Sequence, residues 1–395
     1  MWVICLGFAF ADRMKALETE TAFEVLAKAK ALEKQGKEVI HLEIGEPDFD
    51  TPQNIKDAAA KAMSAGHTHY TPSAGMPELR QAIAEYVSET RRLDVKPEEV
   101  VVTPGAKPVM FFGILALVNP GEEVLCPNPG FPVYESVVKF VGAKPVPIPL
   151  KEENGFSLDP EYVKEKITAK TKMIILNSPE NPTGGVATRE QLGAIADCVA
   201  RRDDVFVLSD EIYSRIIYEG GHESITQFDG MKDKTILLDG FSKTYAMTGW
   251  RLGYGVMRKD LAAKVAQLMT NSNSCTNTFV QLAGVEALKG SQRDVENMVA
   301  EFRRRREVIV DGLNDIEGFR CMKPRGAFYA FPNITGTGMN SRELGEHLLY
   351  KAGVAVLPGA SFGEFGEGYL RLSFANSVEN IRKALERIEE SLGKS

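Results

Sequence analysis

The chain has 395 residues, more than one ordinary hydrophobic core can serve, so two or three domains are expected. Its 44% hydrophobic and 26% charged residues are typical of a soluble globular protein, and a net charge of −7 argues against nucleic acid as the main partner. No apolar run approaches the ~20 residues needed to span a bilayer, so no membrane association is expected.

The chain begins with an apolar stretch, residues 1–11, that lacks the basic start of a secretion signal. We interpret this start as an extension or an upstream start rather than a secretion signal, and we expect a cytoplasmic protein. A helix is predicted over Thr21–Lys34 and a short strand over Val39–Leu42. A loop rich in Gly and Pro follows, and Pro52 at its end is well placed to open a helix.

The middle of the chain alternates between helical patterns and short apolar runs. Amphipathic helices are predicted near Ile55–Ala65 and Pro77–Arg91. The strands predicted after them are Val100–Val102, Glu123–Cys126, Lys144–Ile148, Met173–Leu176, Val205–Leu208 and Thr235–Leu238. Their continuous apolarity indicates a sheet covered on both faces, and most gaps can hold a helical crossover. The pattern therefore predicts an α/β fold with a mostly parallel sheet and helices on both faces.

The pattern changes near Leu288 to that of a smaller α+β unit. Its predicted elements are a helix over Gln292–Leu313, strands over Phe319–Met322 and Ala327–Phe331, a helix over Arg342–Lys351, strands over Val354–Leu357 and Tyr369–Phe374, and a final helix. The basic run Arg303–Arg306 is flanked by Glu301 and Glu307. We interpret this run as the solvated face of a long helix, not as a phosphate-binding patch.

The five cysteines and five histidines predict no metal site. The cysteines are scattered without the close pairs of a zinc site, which favours a reducing compartment and no disulfide framework. The histidines form no cluster of ligands, and His67 and His69 are expected to be polar groups of a loop.

Lys243 is the most informative residue. It follows the apolar run ending at Leu238 and lies in a small, flexible surround that includes Ser242, with Arg251 shortly after it. An amine lifted out of a sheet near a fixed cation suits a nucleophile that forms a Schiff base. A solvated loop lysine is the alternative for any single Lys.

A second segment supports the functional interpretation. The strand ending at Leu208 runs directly into Asp210 and then Tyr213. A pyridoxal ring withdraws electrons only while its nitrogen stays protonated, and a buried carboxylate such as Asp210 can maintain that proton. A phenol such as Tyr213 can hydrogen-bond the hydroxyl oxygen of the ring, and a guanidinium such as Arg251 can hold its phosphate.

With these two segments, the chain resembles the fold-type I pyridoxal-phosphate aminotransferases of class I/II. The resemblance extends from Phe10 to about Leu392 and implies a sheet of the seven-stranded type plus a smaller α+β domain. It implies that residues 1–47 pack with the small domain, that residues 48–290 form the large cofactor-binding domain, and that residues 291–395 form the small domain. Lys243, Asp210 and Tyr213 are the expected catalytic residues, and Ser242 is placed with the cofactor-binding residues.

Two further segments match the cofactor side of the family pattern. A strand passes into a helix at Gly105, Ala106 and Lys107, where helix N–H groups can meet an anion. The resemblance implies that these residues cup the cofactor phosphate. Phe131 matches the aromatic stacked on the pyridine ring, whereas Tyr134 is expected to be a core aromatic of the next helix.

The substrate side of the pattern falls on three other residues. Asn181, in an Asn-Pro-Thr-Gly element, resembles the residue that hydrogen-bonds the ring hydroxyl oxygen and often the substrate carboxylate. Arg371 lies within an apolar strand, where a guanidinium needs an anionic partner. An internal salt bridge is one alternative; the resemblance implies that Arg371 binds the substrate α-carboxylate in a bidentate manner. Gly45 matches the backbone position against that carboxylate.

Tyr70 resembles the residue that reaches the cofactor phosphate of a neighbouring subunit. This implies a homodimer with shared active sites, although the alternative of a surface loop residue remains open from the sequence.

The expected function is transamination between an L-amino acid, with aspartate, alanine or aromatic donors, and a 2-oxo acid such as 2-oxoglutarate. A carbon–sulfur β-lyase of the same fold would retain the same residues, and release of pyruvate and ammonia from cystathionine without an acceptor would identify it. A transcription regulator on this fold needs a DNA-binding domain for which the N-terminal segment has no room. Lys107 and several arginines could bind a distal substrate carboxylate, and spacing does not choose among them.

Overall fold

The structure is a computed structural model that describes residues 10–393. The prediction about residues 1–9 lies outside this range. Between Phe10 and Gly393, no helix has both the length and the apolar character required to cross a membrane.

A sheet of seven strands forms the centre of the protein, in the order β2-β8-β7-β6-β5-β3-β4. Pairing is parallel from β7 through β6, β5 and β3 to β4, and β8 runs antiparallel to both of its neighbours. The strands of the chain are β1 Ile40–His41, β2 Val100–Thr103, β3 Glu123–Asn128, β4 Lys144–Pro149, β5 Thr171–Asn177, β6 Phe206–Asp210, β7 Thr235–Gly240, β8 Gly253–Val256, β9 Tyr329–Ala330, β10 Val354–Ala355, β11 Leu357–Pro358 and β12 Leu370–Ser373. The predicted α/β fold with a mostly parallel sheet is confirmed.

Helices cover both faces of this sheet. The helices of the described chain are α1 Thr21–Glu33, α2 Gln53–Ser64, α3 Pro77–Arg91, α4 Lys107–Leu117, α5 Val133–Phe140, α6 Pro160–Lys166, α7 Arg189–Ala200, α8 Lys259–Ser272, α9 Thr278–Lys289, α10 Arg293–Asp315, α11 Ser341–His347 and α12 Val378–Leu392. A π-helical turn, Leu348–Ala352, continues α11. Short 3₁₀ turns occupy Asp12–Lys15, Pro97–Glu99, Glu152–Asn154, Ile225–Gln227, Lys232–Lys234, Thr335–Thr337, Gly359–Phe362 and Glu364–Gly366.

The continuous apolar strands are explained by burial on both sides. Along β6, Val207 packs into the core that contains α7, whereas Leu208 packs into the core that reaches α10 and α12. Successive side chains of a strand point to opposite faces, so both faces must be apolar when helices cover both.

The C-terminal part contains two small sheets. β11, β12 and β9 form an antiparallel sheet, and β10 pairs in parallel with β1 near the N-terminus. Ala29 and Leu32 of α1 pack with Leu349 and Ala355, which ties the N-terminal helix to this part of the chain.

Several local predictions in the C-terminal part were wrong. The segment predicted as a strand over Phe319–Met322 makes only an isolated bridge at Arg320, and Val354–Leu357 divides into the separate strands β10 and β11. The basic run of α10 is not wholly solvated, because Arg305 and Arg306 are buried. Arg305 pairs with Asp48 and Glu301, and Arg306 with Glu219 and Glu307, so each arginine has one acidic partner within the helix and one outside it, and these partners make the burial possible.

A buried ion network lies behind the carboxyl ends of β6 and β7. Arg91, at the end of α3, donates from Nε to Glu211 Oε2 at 3.0 Å and from Nη2 to Asp239 Oδ2 at 2.7 Å. All three side chains are buried. The guanidinium therefore neutralises two carboxylates that would otherwise repel each other inside the protein.

Replacement of Arg91 by Met should destabilise the fold. The substitution leaves Glu211 and Asp239 buried without their cation, and removing one partner of such a group costs about 3–5 kcal/mol. The free energy of unfolding, measured by urea denaturation, should fall by that amount.

Arg92→Met is the matched control, because Arg92 follows Arg91 directly and its side chain is exposed. A loss in Arg91→Met no larger than that in Arg92→Met would contradict the role of the network.

Candidate active site

The carboxyl ends of the parallel strands bring most of the predicted residues to one edge of the sheet. A cavity of about 370 Å³ opens there. In open α/β sheets this edge is the usual ligand site. The predicted residues that line the cavity are Gly45, Ala106, Lys107, Phe131, Asn181, Asp210, Tyr213, Ser242, Lys243, Arg251 and Arg371.

Lys243 follows β7 and presents its amine to the cavity. Its Nζ donates to the carbonyl oxygen of Gly45 at 2.6 Å, and the ring centroid of Phe328 lies 5.9 Å away. Loss of hydration lowers the pKa of Lys243 to about 8, and the nearby cations Arg371 and Lys107 act in the same direction. The neutral amine, which is the nucleophilic form, is therefore accessible near neutral pH.

Asp210 ends β6 and is buried at the edge of the sheet. Its Oδ2 accepts a hydrogen bond from Tyr134 Oη at 2.7 Å, and its Oδ1 accepts one from the backbone N–H of Ile212 at 3.2 Å. Burial raises the pKa of Asp210 to about 6, despite these hydrogen bonds. A cation placed beside this carboxyl would favour its ionised form.

Tyr134 was underestimated from the sequence. It is a buried aromatic of α5, as expected, but its hydroxyl also contacts Asp210 directly, and its ring meets that of Phe131 edge to face at 5.5 Å. The motif around Phe131 is rich in aromatics, but sequence spacing does not show which hydroxyl reaches a carboxylate on another strand.

Arg371 is buried in β12, and no carboxylate of the described residues forms a hydrogen bond or salt bridge with it. Its Nη1 donates to Asn181 Oδ1 at 3.0 Å, and its Nη2 donates to the carbonyl oxygen of Glu43. Within residues 10–393, its buried Nε has no hydrogen-bond partner. The rings of Tyr329 and Phe362 lie 4.5 Å and 5.0 Å from its Cζ. A charged donor with unused capacity is suited to bind an incoming carboxylate.

Tyr213 contacts a second tyrosine that was not selected from the sequence. Its hydroxyl lies 2.6 Å from that of Tyr329, and both side chains are buried. A Cβ atom placed on Gly45 would lie 2.2 Å from Tyr329 Oη, so a side chain at position 45 would collide with this pair. Tyr329 lies in a predicted strand, where its aromatic ring alone suggests only a core position.

The start of α4 lies close to Arg251 at the cavity. Among the described residues, no side chain caps the first turn of α4, whose N-cap residue is Ala106. Helix N–H groups left in this way can bind an anion. Gly105 has φ +85°, and a Cβ there would lie 2.1 Å from Arg251 Nη2, so only glycine allows this close approach.

Lys107 and Tyr70 differ from the remaining predicted residues. The Lys107 amine pairs with Glu20 and lies 5.2 Å from the ring centroid of Phe131. Tyr70 does not line the cavity, and 88% of its surface is exposed.

Glu180 is a further buried acid near the site. Its Oε2 accepts from the backbone N–H of Thr183 at 3.0 Å and from Thr183 Oγ1 at 2.8 Å, whereas Oε1 has no partner among the described residues. Burial raises the pKa of Glu180 to about 8, so its neutral form predominates at pH 7. Across the described range 10–393, no group of three or more His, Cys, Asp or Glu side chains is arranged to hold a metal ion.

The profile of the family described as aminotransferase class I and II matches residues 37–388. An aspartate aminotransferase of Pyrococcus horikoshii is 43% identical over 98% of this chain and 97% of its own length. An aromatic-amino-acid aminotransferase of Thermococcus litoralis is 39% identical over 97% and 98% of the two chains. The structure of a Thermus thermophilus aspartate aminotransferase with maleate is 39% identical, with a TM-score of 0.93 over 97% of this chain and all of that one.

Replacement of Glu180 by Gln should change how thermal stability depends on pH. The ordinary pKa of Glu is 4.5, and burial raises that of Glu180 to about 8, so the fold favours the protonated acid. This contribution to stability is complete below pH 4.5 and is lost as pH rises through 8. Gln mimics the protonated form at every pH.

The Tm of Glu180→Gln minus that of the unaltered protein should therefore increase between pH 5 and pH 8.5, as measured by scanning calorimetry. A difference that stays constant with pH would show that Glu180 does not titrate in this way.

Proposed function

The chain belongs to the class I and II aminotransferase family, and from that premise we propose how its residues bind the cofactor and the substrates. Membership makes it a pyridoxal-phosphate-dependent transaminase that acts on amino acids and 2-oxo acids. The fold, cofactor and reaction predicted from the motifs around Lys243 and Asp210 are thus confirmed. The relatives reported above are named as aminotransferases, which favours transamination over β-elimination.

Three observations support the fit of pyridoxal phosphate to this cavity. A partly buried amine with a lowered pKa, that of Lys243, faces a buried carboxyl, that of Asp210, in the same cavity. The uncapped start of α4 and Arg251 supply donors for a dianionic phosphate. Arg371 keeps an unused buried donor for a separate carboxylate.

The proposed contacts follow from these fits. Asp210 would face the ring nitrogen, Tyr213 and Asn181 the hydroxyl oxygen of the ring, and Phe131 one face of the ring. The phosphate would be held by the backbone N–H groups of Gly105, Ala106 and Lys107 and by the side chains of Ser242 and Arg251, with Tyr70 from a second copy of the chain.

Bound pyridoxal phosphate supplies an aldehyde for covalent attachment of an amine and an electron-poor ring that accepts electrons from the substrate α-carbon. Lys243 Nζ holds the cofactor between turnovers and removes the α-proton of the amino acid. The lowered pKa of Lys243 suits this second task, because only the neutral amine can accept a proton. Asp210 keeps a negative charge beside the ring nitrogen, and the hydrogen bond from Tyr134 fixes the orientation of its carboxylate.

Arg371 orients the substrate. Its position between Asn181 and the ring of Tyr329 fixes the guanidinium plane, and the α-carboxylate would bind it together with the backbone of Gly45. Holding this carboxylate directs the bond from the α-carbon to its proton toward Lys243. The single observation that carries the proposal is that Lys243, Asp210 and Arg371 line one cavity.

The substrates proposed are an aspartate, alanine or aromatic amino donor and a 2-oxo acid acceptor such as 2-oxoglutarate. The similarity to relatives named for aspartate and for aromatic amino acids supports this range.

The proposed active form is a cytoplasmic homodimer with shared sites. The backbone before Tyr70 is held by a hydrogen bond from Thr278 Oγ1 to the carbonyl oxygen of His69, at 2.5 Å, and Gln281 contacts Thr71 at 3.1 Å. An anchored loop that exposes its aromatic ring is suited to enter a neighbouring subunit. The described cysteines form no disulfide with one another, in keeping with the proposed cytoplasmic location.

The proposed domain division remains 1–47, 48–290 and 291–395. Residues 48–290 include the whole central sheet, and the pairing of β1 with β10 supports packing of the described part of the N-terminal segment with the C-terminal domain.

Lys243→Ala should abolish turnover. Loss of the attachment point and of the base should lower kcat by about 10⁴-fold or more. Cofactor binding should become weak but detectable in absorbance spectra, because the other contacts remain. Borohydride reduction of the unaltered holoenzyme should leave the adduct on the peptide that contains residue 243.

Lys264→Ala, an exposed lysine on α8, is the control and should retain activity. Turnover of Lys243→Ala near that of the unaltered enzyme, or a borohydride adduct on another peptide, would refute the assignment.

Mixing of Tyr70→Ala with Lys243→Ala protomers should restore activity. A heterodimer would contain one site with both residues, so equal mixing should give about a quarter of full activity after subunit exchange. Each parent must be folded, low in activity, and shown to exchange by native mass spectrometry. Heterodimers without recovered activity would contradict shared sites.

A further inference from the structure

At the mouth of the cavity, the amine of Lys107 is paired with a carboxylate of the protein itself. Lys107 begins α4, and its partner, Glu20, directly precedes α1. The side chains are 50% and 21% exposed, and both residues line the cavity. The pair therefore lies between the solvent and the region that a substrate side chain would enter.

Glu20 is not required at this position by its own helix. It is the N-cap residue of α1, but its side chain accepts no hydrogen bond from the first turn. The carboxylate is directed instead to Lys107, on another helix. The pair is thus a contact across the cavity mouth and not a local cap.

The short segment before Glu20 is attached to α5 by a few polar contacts. The backbone N–H of Glu18 donates to Ser136 Oγ at 2.8 Å, and the Glu18 carboxylate lies 3.1 Å from Lys139 Nζ. No residue of the preceding turn, Asp12–Lys15, is buried. A segment held by so few exposed contacts can move its carboxylate away from Lys107 without disturbing the core.

The other cations that line the cavity already have proposed tasks. Lys243 holds the cofactor, Arg251 the phosphate and Arg371 the α-carboxylate, and the hydrogen bonds of these cations go to carbonyl or amide oxygens. Lys107, in contrast, pairs with a carboxylate. A second carboxylate on a substrate would therefore meet Lys107 with its charge already neutralised by Glu20.

We propose that Glu20 is a specificity-determining residue whose carboxylate takes the place of a substrate carboxylate at the Lys107 amine. It occupies Lys107 when the bound side chain is uncharged, and it yields this amine to the distal carboxylate of a dicarboxylic substrate. The proposal rests on the proposed function, because it assumes that the substrate α-carboxylate is bound by Arg371 in the same cavity.

The physical basis is competition for one cation. An uncharged side chain leaves the pair intact and avoids an unpaired ammonium in a partly dehydrated cavity. A dicarboxylate must displace Glu20, which is tethered nearby and therefore present at a high effective concentration. Displacement is feasible because the pair is partly exposed, and such pairs are weak.

The decisive variant is Glu20→Gln, tested with the holoenzyme and two unreactive ligands. Maleate carries two carboxylates, whereas 3-phenylpropionate carries one carboxylate and an uncharged ring. Their Kd values are measured by isothermal titration calorimetry, which does not depend on turnover. The ratio of the Kd of 3-phenylpropionate to that of maleate should rise roughly fivefold or more, because maleate no longer displaces a carboxylate.

Lys107→Gln removes the other partner of the ion pair, and it tests the proposal even if Glu20→Gln does not fold. Maleate should lose about tenfold in affinity, because its second carboxylate loses a charged donor and meets Glu20 instead, whereas 3-phenylpropionate should change by less than about twofold. Glu18→Gln is the matched control, because it removes an ion pair of the same segment without contacting Lys107. Its Kd ratio should equal that of the unaltered enzyme.

An unchanged ratio in Glu20→Gln, a shift toward 3-phenylpropionate, or an equal shift in Glu18→Gln would overturn the role of Glu20. If the unaltered holoenzyme bound neither ligand, the assignment of the substrate site would itself fail, and the role of Glu20 would fail with it. Binding of both ligands with no effect of Glu20 leaves the proposed function intact and rejects only this inference.

Discussion

The site depends on the compensation of three acidic side chains that end two neighbouring strands. Asp210 and Glu211 follow each other at the end of β6, and Asp239 lies near the end of the adjacent β7. Arg91 binds Glu211 and Asp239, and His222 Nε2 lies 2.7 Å from Glu211 Oε2. Because Glu211 and Asp239 are neutralised in this way, the carboxylate of Asp210 remains available to the cavity. Burial and these acidic neighbours still raise the pKa of Asp210.

Several cationic groups line the cavity. Arg251 and the start of α4 form one end, and Arg371 binds only neutral oxygens within the described structure. Lys243 lies in the same cavity, where dehydration and the fields of Arg371 and Lys107 lower its pKa to about 8 and make its neutral form easier to reach. The same positive groups that would attract anionic ligands thus keep the central amine reactive.

Sequence patterns predicted the parallel strands because apolar runs covered on both faces are unambiguous, as in β6 with Val207 and Leu208. They did not predict β8, whose Gly253 and Gly255 weaken a strand signal and whose direction depends on its neighbours. Lys243 and Asp210 were selected from motifs that follow strands, whereas the family resemblance implied that Arg371 belongs to the same site; all three line one cavity. The contacts of Tyr134, Tyr329 and Glu180 could not be predicted, since each depends on a partner brought close by tertiary packing.

The turn before α4 has a consequence for how such a protein can diversify. Any substitution at Gly105 is opposed twice, by its left-handed backbone and by the guanidinium pressed against it. Lys107 lies two positions later, and its side chain is half exposed. A library of substitutions across this turn should therefore return glycine at position 105 and many residues at position 107. Ligand preference can then change while the contact between Gly105 and Arg251 stays unchanged.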